Sequence, residues 1–312
     1  MISEVERVGV THRSWAMGKK NLMLLVALIG LFALIVFAIT ATVSAHSGRL
    51  YPVHLNGKFG YIDRSGKIAI PPQFDQAGLF AEGYGPVRVG KSWGYVDGRG
   101  KLAITPQFDM ADPFSEGRAM VGLGPRLGFI DKSGKYVINP QYEGAGEFGD
   151  NLAPVLVNGR WGFIDKDAKV VINPQFEEAG NFAEGLAVVR MGGKFGYIDK
   201  SGKLAINPQF VAAGEFSEGR AAVRLGDKFG YIDKTGKLVI NPQFDAAGDF
   251  SDDLAAVAVA KRYGYIDKDG KFVINPQFDD AGNFNAGLAP VWMGEREGYI
   301  KKDGKYVWNP TS

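Results

Sequence analysis

Leu186-Ala-Val-Val-Arg-Met-Gly-Gly-Lys-Phe-Gly-Tyr-Ile-Asp199, then Lys200-Ser-Gly-Lys-Leu-Ala-Ile-Asn-Pro-Gln-Phe210, then Val211-Ala-Ala-Gly-Glu-Phe-Ser-Glu-Gly219 make up one 34-residue unit. Its apolar pieces are only four or five residues long, rich in Val, Ile, Tyr and Phe, and each is cut off by Gly, Asn, Asp or Ser. Such runs read as strands joined by hairpins. Gly192-Gly193 and Asp199-Lys-Ser-Gly202 supply the positive φ that tight turns need. The unit therefore predicts a three-stranded antiparallel meander. The connector from Pro208-Gln-Phe to Phe216-Ser-Glu-Gly is expected to add a short fourth strand.

The unit recurs without a slip. Gly60, Gly94, Gly128, Gly162, Gly196, Gly230, Gly264 and Gly298 lie 34 residues apart, and Tyr or Phe follows each. Eight copies imply a core built by stacking units that cannot fold alone. Thirty-four residues is also the length of a helical tetratricopeptide unit. Here Pro and several Gly interrupt each copy, at about 3 and 1 kcal/mol apiece inside a helix, so helical repeats are excluded. The fold class is all-β. Stacked meanders form either an open β-solenoid or a closed ring. A solenoid needs polar caps, and none is visible before Leu50 or after Tyr306-Val-Trp-Asn-Pro310. A propeller-like closed ring is therefore favoured, although 34 residues is short beside listed propeller repeats of about 40–50.

Trp93-Gly-Tyr-Val-Asp97 and Trp161-Gly-Phe-Ile-Asp165 carry a Trp-Gly pair ahead of the aromatic strand. Phe59, Phe195, Phe229 and Tyr263 take the tryptophan's place elsewhere, while Leu127 and Glu297 depart from the pattern. In these pairs, the Gly-Lys turn, the Pro-Gln-Phe and the Phe-x-Glu-Gly segment, the chain resembles the bacterial WG-repeat family from about Leu50 to Pro310. The resemblance implies the repeat architecture and no particular reaction.

Most recurring residues have mechanical readings. A glycine inside a strand marks a bulge or a close approach, and Gly196 and its equivalents are expected to make room for an aromatic lying over the neighbouring repeat. Asp63, Asp97, Asp131, Asp165, Asp199, Asp233 and Asp267 start turns and cap their own backbone. Asp267-Lys-Asp-Gly270 offers too few oxygens for calcium. Gln73, Gln107, Gln141, Gln175, Gln209, Gln243 and Gln277 are expected to satisfy backbone groups of the connector. Glu82, Glu116, Asp150, Glu184, Glu218 and Asp252 sit in near-equivalent environments, unlike the two differently tuned carboxyls of a glycosidase. The eighth unit has Ala286 in their place.

The N-terminal part is of another kind. Residues 1–21 carry Arg7, Arg13, Lys19 and Lys20 against Glu4 and Glu6, and no charge occurs from Leu22 to Ala41. About 20 apolar residues suit a spanning helix. Residues 22–44 are thus expected to be an uncleaved signal anchor rather than a signal peptide cut after Val43-Ser44-Ala45. By the positive-inside tendency the N-terminus is cytoplasmic. A linker, 45–49, then leads to the exported repeat domain, 50–312, on the periplasmic or extracellular side of the inner membrane.

Composition narrows the function. The chain has 36 Lys+Arg and 34 Asp+Glu, and the excess lies in its first 20 residues, so the repeats are formally neutral and nucleic-acid binding is not expected. There is no cysteine, and the histidines are His12, His46 and His54. No metal spacing, nucleophilic triad or phosphate loop is present. No enzyme activity and no cofactor are expected. The reading is a membrane-anchored, non-enzymatic binding or scaffolding module, with a carbohydrate or cell-wall binding protein, hydrolytic or not, as the alternative. The partner is a protein or a cell-envelope polysaccharide. Trp292, Trp308, Tyr84, Met120 and Met293 break the repeat pattern and are the candidate binding anchors.

Overall fold

A computed structural model describes residues 50–311. The expected cytoplasmic segment, signal anchor and linker (1–49) lie outside the described residues. Among the described residues there is no helix and no segment that would cross a membrane as one. The repeats form eight antiparallel sheets: residues 51–74, 76–108, 110–142, 144–176, 178–210, 212–244, 246–278 and 280–311, here called blades 1 to 8. Blade 1 has three described strands and every other blade four.

Blade 5 illustrates the build. Leu186–Met191 pairs with Lys194–Asp199 across a two-residue turn, Gly192 and Gly193, with φ of 58° and 76°. Both central residues thus have the positive φ of the type I′ hairpin. Lys194–Asp199 then pairs with Leu204–Phe210 through the Asp199 turn, where the carboxylate accepts the N–H groups of Ser201 (2.9 Å) and Lys203 (3.1 Å). The expected Asx cap recurs at Asp63, Asp97, Asp131, Asp165, Asp233 and Asp267. The fourth strand lies in the connector, and in most blades it is two residues long, such as Ala212–Ala213 of blade 6. That brevity is how 34 residues suffice for a four-stranded blade.

The repeat glycine has a different cause from the one the sequence suggests. Tyr197 pairs with Ile206 and Phe195 with Phe210, so one residue, Gly196, faces the three residues Asn207-Pro208-Gln209. This is a bulge with two extra residues, and it pushes its backbone against the glycine. A Cβ on Gly196 would stand 2.6 Å from the Ile206 carbonyl oxygen and 2.7 Å from the Pro208 nitrogen. The same backbone atoms crowd Gly60, Gly94, Gly128, Gly162, Gly230 and Gly264. The close approach comes from the blade's own outer strand, and not from an aromatic of the neighbouring repeat. Gln209 Nε2 donates to the Asn207 carbonyl inside the bulge (3.3 Å), as Gln73, Gln175 and Gln277 do in theirs.

The core lies between blades. Val188, Tyr197, Ile206 and Phe210 of blade 5 pack with Phe216, Ala221, Val223 and Ile232 of blade 6. Tyr197 meets Phe216 with ring centroids 4.8 Å apart, and its hydroxyl donates to the Gly214 carbonyl (2.9 Å). The buried phenol so places an apolar ring in the seam and its polar tip on the next blade's backbone. Blades 8 and 1 close the ring in the same way. Tyr51, Val53 and Ile62 cluster with Leu288 and Tyr299, the Tyr299 hydroxyl donates to the Pro52 carbonyl (2.7 Å), and that of Tyr51 to the Asn285 carbonyl (2.7 Å). The unit is a closed eight-bladed propeller, and among the described residues each sheet is built from consecutive strands.

Two sets of polar ties reinforce the seams. Glu82, Glu116, Glu184 and Glu218 each accept a backbone N–H from the next blade and pair with its lysine, Lys132, Lys166, Lys234 or Lys268, at 3.0 Å. Asp150 and Asp252 accept the N–H only, at 2.6 and 2.5 Å, their side chains being one methylene shorter. A second set joins Asp75 to Lys58 and to the Gly90 N–H, with equivalents at Asp245 and Asp279. The lysine and the amide hold the exposed Asp75 carboxyl below its ordinary range.

Because even a methyl group at the bulge meets backbone rather than a movable side chain, Gly196→Ala is expected to lower the unfolding free energy by about 1–3 kcal/mol, and Gly196→Val by more. Lys203→Ala, on the exposed turn, should change it by less than about 0.5 kcal/mol. Urea melts of the three variants measure this. A Gly196→Ala midpoint equal to wild type would contradict the bulge account.

Candidate functional site

In each connector the chain passes close to the propeller axis. A cavity of about 530 Å³ opens there, and six different blades line it, through residues including Tyr51, Leu79, Ala183, Glu215, Asp249, Asn283 and Tyr299. One repeat position supplies its polar character. Reading round the ring, that position is Leu79, Pro113, Glu147, Asn181, Glu215, Asp249 and Asn283. Its neighbours in sequence are uniform: Phe80, Phe114, Phe148, Phe182, Phe216, Phe250 and Phe284 follow it, all buried in the seams. The side chain at this position thus varies among Leu, Pro, Glu, Asn and Asp while the next residue anchors the connector.

The axial carboxylates are crowded. Burial raises Asp112, Glu147, Glu215 and Asp249 above the ordinary carboxyl range. Mutual repulsion adds to this at Glu147, which feels Asp112 and Glu215, and at Glu215, which feels Asp249. Glu215 is partly compensated by the Asn181 backbone N–H, 2.8 Å away. No group of acids and histidines among the described residues has the arrangement to hold a metal ion. What the mouth offers is negative potential and hydrogen-bond acceptors, suited to a ligand that brings N–H donors or positive charge.

This position is not marked by residues shared among all copies or by isolated aromatics; its signal in the sequence is a column that turns polar and acidic directly before a constant phenylalanine. The five candidate anchors fare unequally. Met120 is 6% exposed and packs between blades 3 and 4, out of reach of any partner. Tyr84 leans on the seam of blades 2 and 3, its ring 5.5 Å from that of Phe114. Trp308 replaces the core isoleucine of other repeats and packs against the closing seam. Met120 is thus a buried packing residue, and Tyr84 and Trp308 are half-buried against their seams. Met293 is exposed at a hairpin end, and the half-buried Trp292 lies directly across the ladder from Glu297.

That last pair inverts the usual arrangement. In blades 5 and 6 an arginine sits over the aromatic opposite it, Arg190 over Phe195 at 5.6 Å and Arg224 over Phe229 at 5.9 Å. In blade 8 the aromatic stands on the other strand as Trp292, and Glu297 takes the ring's place. Burial pushes the Glu297 carboxyl up to about 7, against the opposing effect of a hydrogen bond with Tyr299. Burial, and after it the charge of Glu297, drives the Tyr299 phenol far above its ordinary value.

Fold and mouth together define a propeller whose blades form a rigid frame and whose axis carries the variable residues. The chain belongs to the family described as WG containing repeat, which matches residues 59–92, 93–124, 128–161, 161–195, 195–229, 229–260 and 263–295. No curated protein sequence matches it. Among solved structures it is similar to a eukaryotic initiation factor at a TM-score of 0.54 and 10% identity, covering 84% of this chain and 85% of that one. It is similar also to apo AztD from Citrobacter koseri, at 0.52 and 13%, covering 85% and 93%. A third likeness is to Hsv2p of Kluyveromyces lactis, at 0.50 and 12%, covering 74% and 94%. At such identities the likeness is one of fold.

Glu297 makes stability depend on pH. Its folded pKa of about 7 exceeds the ordinary 4.5. Its contribution is therefore full below about 4.5 and is lost as pH rises through about 7. Between those limits Glu297→Gln is expected to remove roughly 1–3 kcal/mol of the fall in unfolding free energy, a range that allows for partial solvent screening. Urea melts of both proteins across this window measure the difference, and parallel pH profiles would contradict the assignment.

Proposed function

We propose that this chain is a non-enzymatic binding module, held at the outer face of the inner membrane by residues 22–44 with its N-terminus in the cytoplasm, and that the axial mouth receives a segment of a partner protein. The observation that carries the reading is the variable axial position: Leu79, Glu215, Asp249 and Asn283 line the cavity with different side chains where the phenylalanine that follows each is constant. Packing between equivalent blades asks for equivalent residues, so the polar and acidic side chains that replace one another in the cavity lining support selection by a ligand. The raised carboxyls favour a cationic or donor-rich group, whose binding would return them to the charged state. The polysaccharide alternative has less support. Gln73, Gln175, Gln209 and Gln277, amides that could bond sugar hydroxyls, bond their own bulges, and the aromatic rings beside them lie in the seams.

Glu215→Gln combined with Asp249→Asn is expected to deplete the partner recovered by pull-down from cross-linked cells, whereas Met293→Ala on the hairpin rim is expected to leave it in place. An unchanged set of captured proteins in the double variant would count against the mouth. Co-sedimentation of the protein with purified cell wall, resistant to salt, would favour the polysaccharide instead.

The tether has its own test. Protease added to spheroplasts should digest the repeats while the membrane-bound chain keeps its N-terminus. A mature chain beginning at His46 would replace the anchor with a cleaved signal peptide.

A further inference from the structure

At six seams an acid of one blade grips the next, and at the seam that closes the ring this acid is missing. Arg64 of blade 1 occupies the repeat position of Lys132, Lys166, Lys234 and Lys268, but position 286 of blade 8, where the acid belongs, is alanine. The backbone there is unchanged, with φ of 51° at Ala286 against 52° at Glu218 and 54° at Asp252. Arg64 crosses the seam so closely that a Cβ on Gly287 would stand 2.7 Å from its Nη2. No carboxylate among the described residues pairs with it.

Arg64, Lys301 and Lys302 line a cavity of about 530 Å³ beside Ala286. Of its two acids, Asp252 accepts the N–H of Gly287, itself in the lining, and Asp303 pairs with Lys305 at 3.1 Å. Lys302 is drawn toward Asp253, 3.7 Å away. Lys301 stands where every other blade has the acidic turn residue, so the seam loses a second negative charge there. Three bases against two acids leave the hollow net positive at the place where the repeat elsewhere seats a glutamate.

We propose that this hollow is a socket for a glutamate or aspartate side chain of an acidic peptide segment on a partner protein, which supplies in trans the carboxylate that blade 8 lacks. Charge-assisted bonds from a guanidinium to a carboxylate are the geometry Arg64 is free to make. A peptide fits better than an acidic polysaccharide because Leu288 lines both this socket and the axial mouth. Adjacent sites of opposite sign suit a polymer that carries both signs within a short reach. The choice of a peptide rests on the function proposed above, whereas the socket rests on the geometry of the seam alone.

The test uses the full-length chain in a non-ionic detergent, with fluorescence anisotropy of a labelled hexaglutamate peptide at low salt and with hexagalacturonate as competitor. Wild type is expected to bind the peptide, less tightly as salt rises. Arg64→Gln and Ala286→Glu should each weaken binding by about tenfold or more, the scale of one charge-assisted contact. Ala286→Glu fills the socket from within, and six blades already place an acid in that backbone conformation, so its melting temperature is expected to equal or exceed that of wild type. Glu215→Gln, which alters the mouth, should retain hexaglutamate binding, so a failed mouth and a failed socket give different results. Equal affinity for wild type, Arg64→Gln and Ala286→Glu would overturn the socket. Competition by hexagalacturonate with an affinity equal to or above that of the peptide would overturn the peptide as its occupant.

Discussion

The aromatic after each repeat glycine is the contact on which the rest of the molecule depends. Tyr61, Tyr95, Tyr197, Tyr231, Tyr265 and Tyr299 are at most 1% exposed, and each puts its ring into a seam and its hydroxyl on a carbonyl of the neighbouring blade. Phe129 and Phe163 fill the same place without the hydroxyl. A single meander has no second layer to cover these rings, so a blade is stable only against another blade. Eight such dependencies are all met only if the last blade meets the first. The Tyr51 and Tyr299 contacts are that meeting.

Once the frame is fixed by repetition, departures from it become interpretable. A residue shared by all copies is explained by the seam or the bulge. A residue that varies while its neighbours stay constant needs another explanation, and in this propeller such residues gather at two places, the axial mouth and the closing seam. The two are joined by the turn that contains Ala286 and Leu288. Likeness to other propellers says nothing about either, because the fold is shared by proteins of many functions and the chemistry lies in the side chains it presents.

The closing seam is also where the sequence is least regular: Ala286 for an acid, Glu297 for an aromatic, Lys301 for an aspartate and Trp308 for an isoleucine. Trp292 stands where blades 5 and 6 have the arginine, and an acid, Glu297, stands where they have the ring. Seven seams join blades that are consecutive in the chain, whereas this one joins the two ends through packing and the Tyr51 and Tyr299 hydrogen bonds. Substitutions concentrated there alter the one interface whose chemistry no other seam repeats.

Strands, hairpins, the Asp199 type of turn cap, the short fourth strand and the count of eight units were all legible in the amino-acid sequence, because each is set by interactions within a few residues of the chain. Closure into a ring was legible only indirectly, through the absence of caps. The reason for the glycine was not legible, since the two-residue excess of Asn207-Pro208-Gln209 over Gly196 is a matter of register between strands. Nor was the fate of Met120, Tyr84 and Trp308, whose burial depends on which blade lies alongside. The mouth and the socket were decided by tertiary structure alone: residues 34 or more apart in the chain, such as Glu215 and Asp249 or Arg64 and Ala286, become neighbours only when the blades are wound about an axis and the ends are brought together.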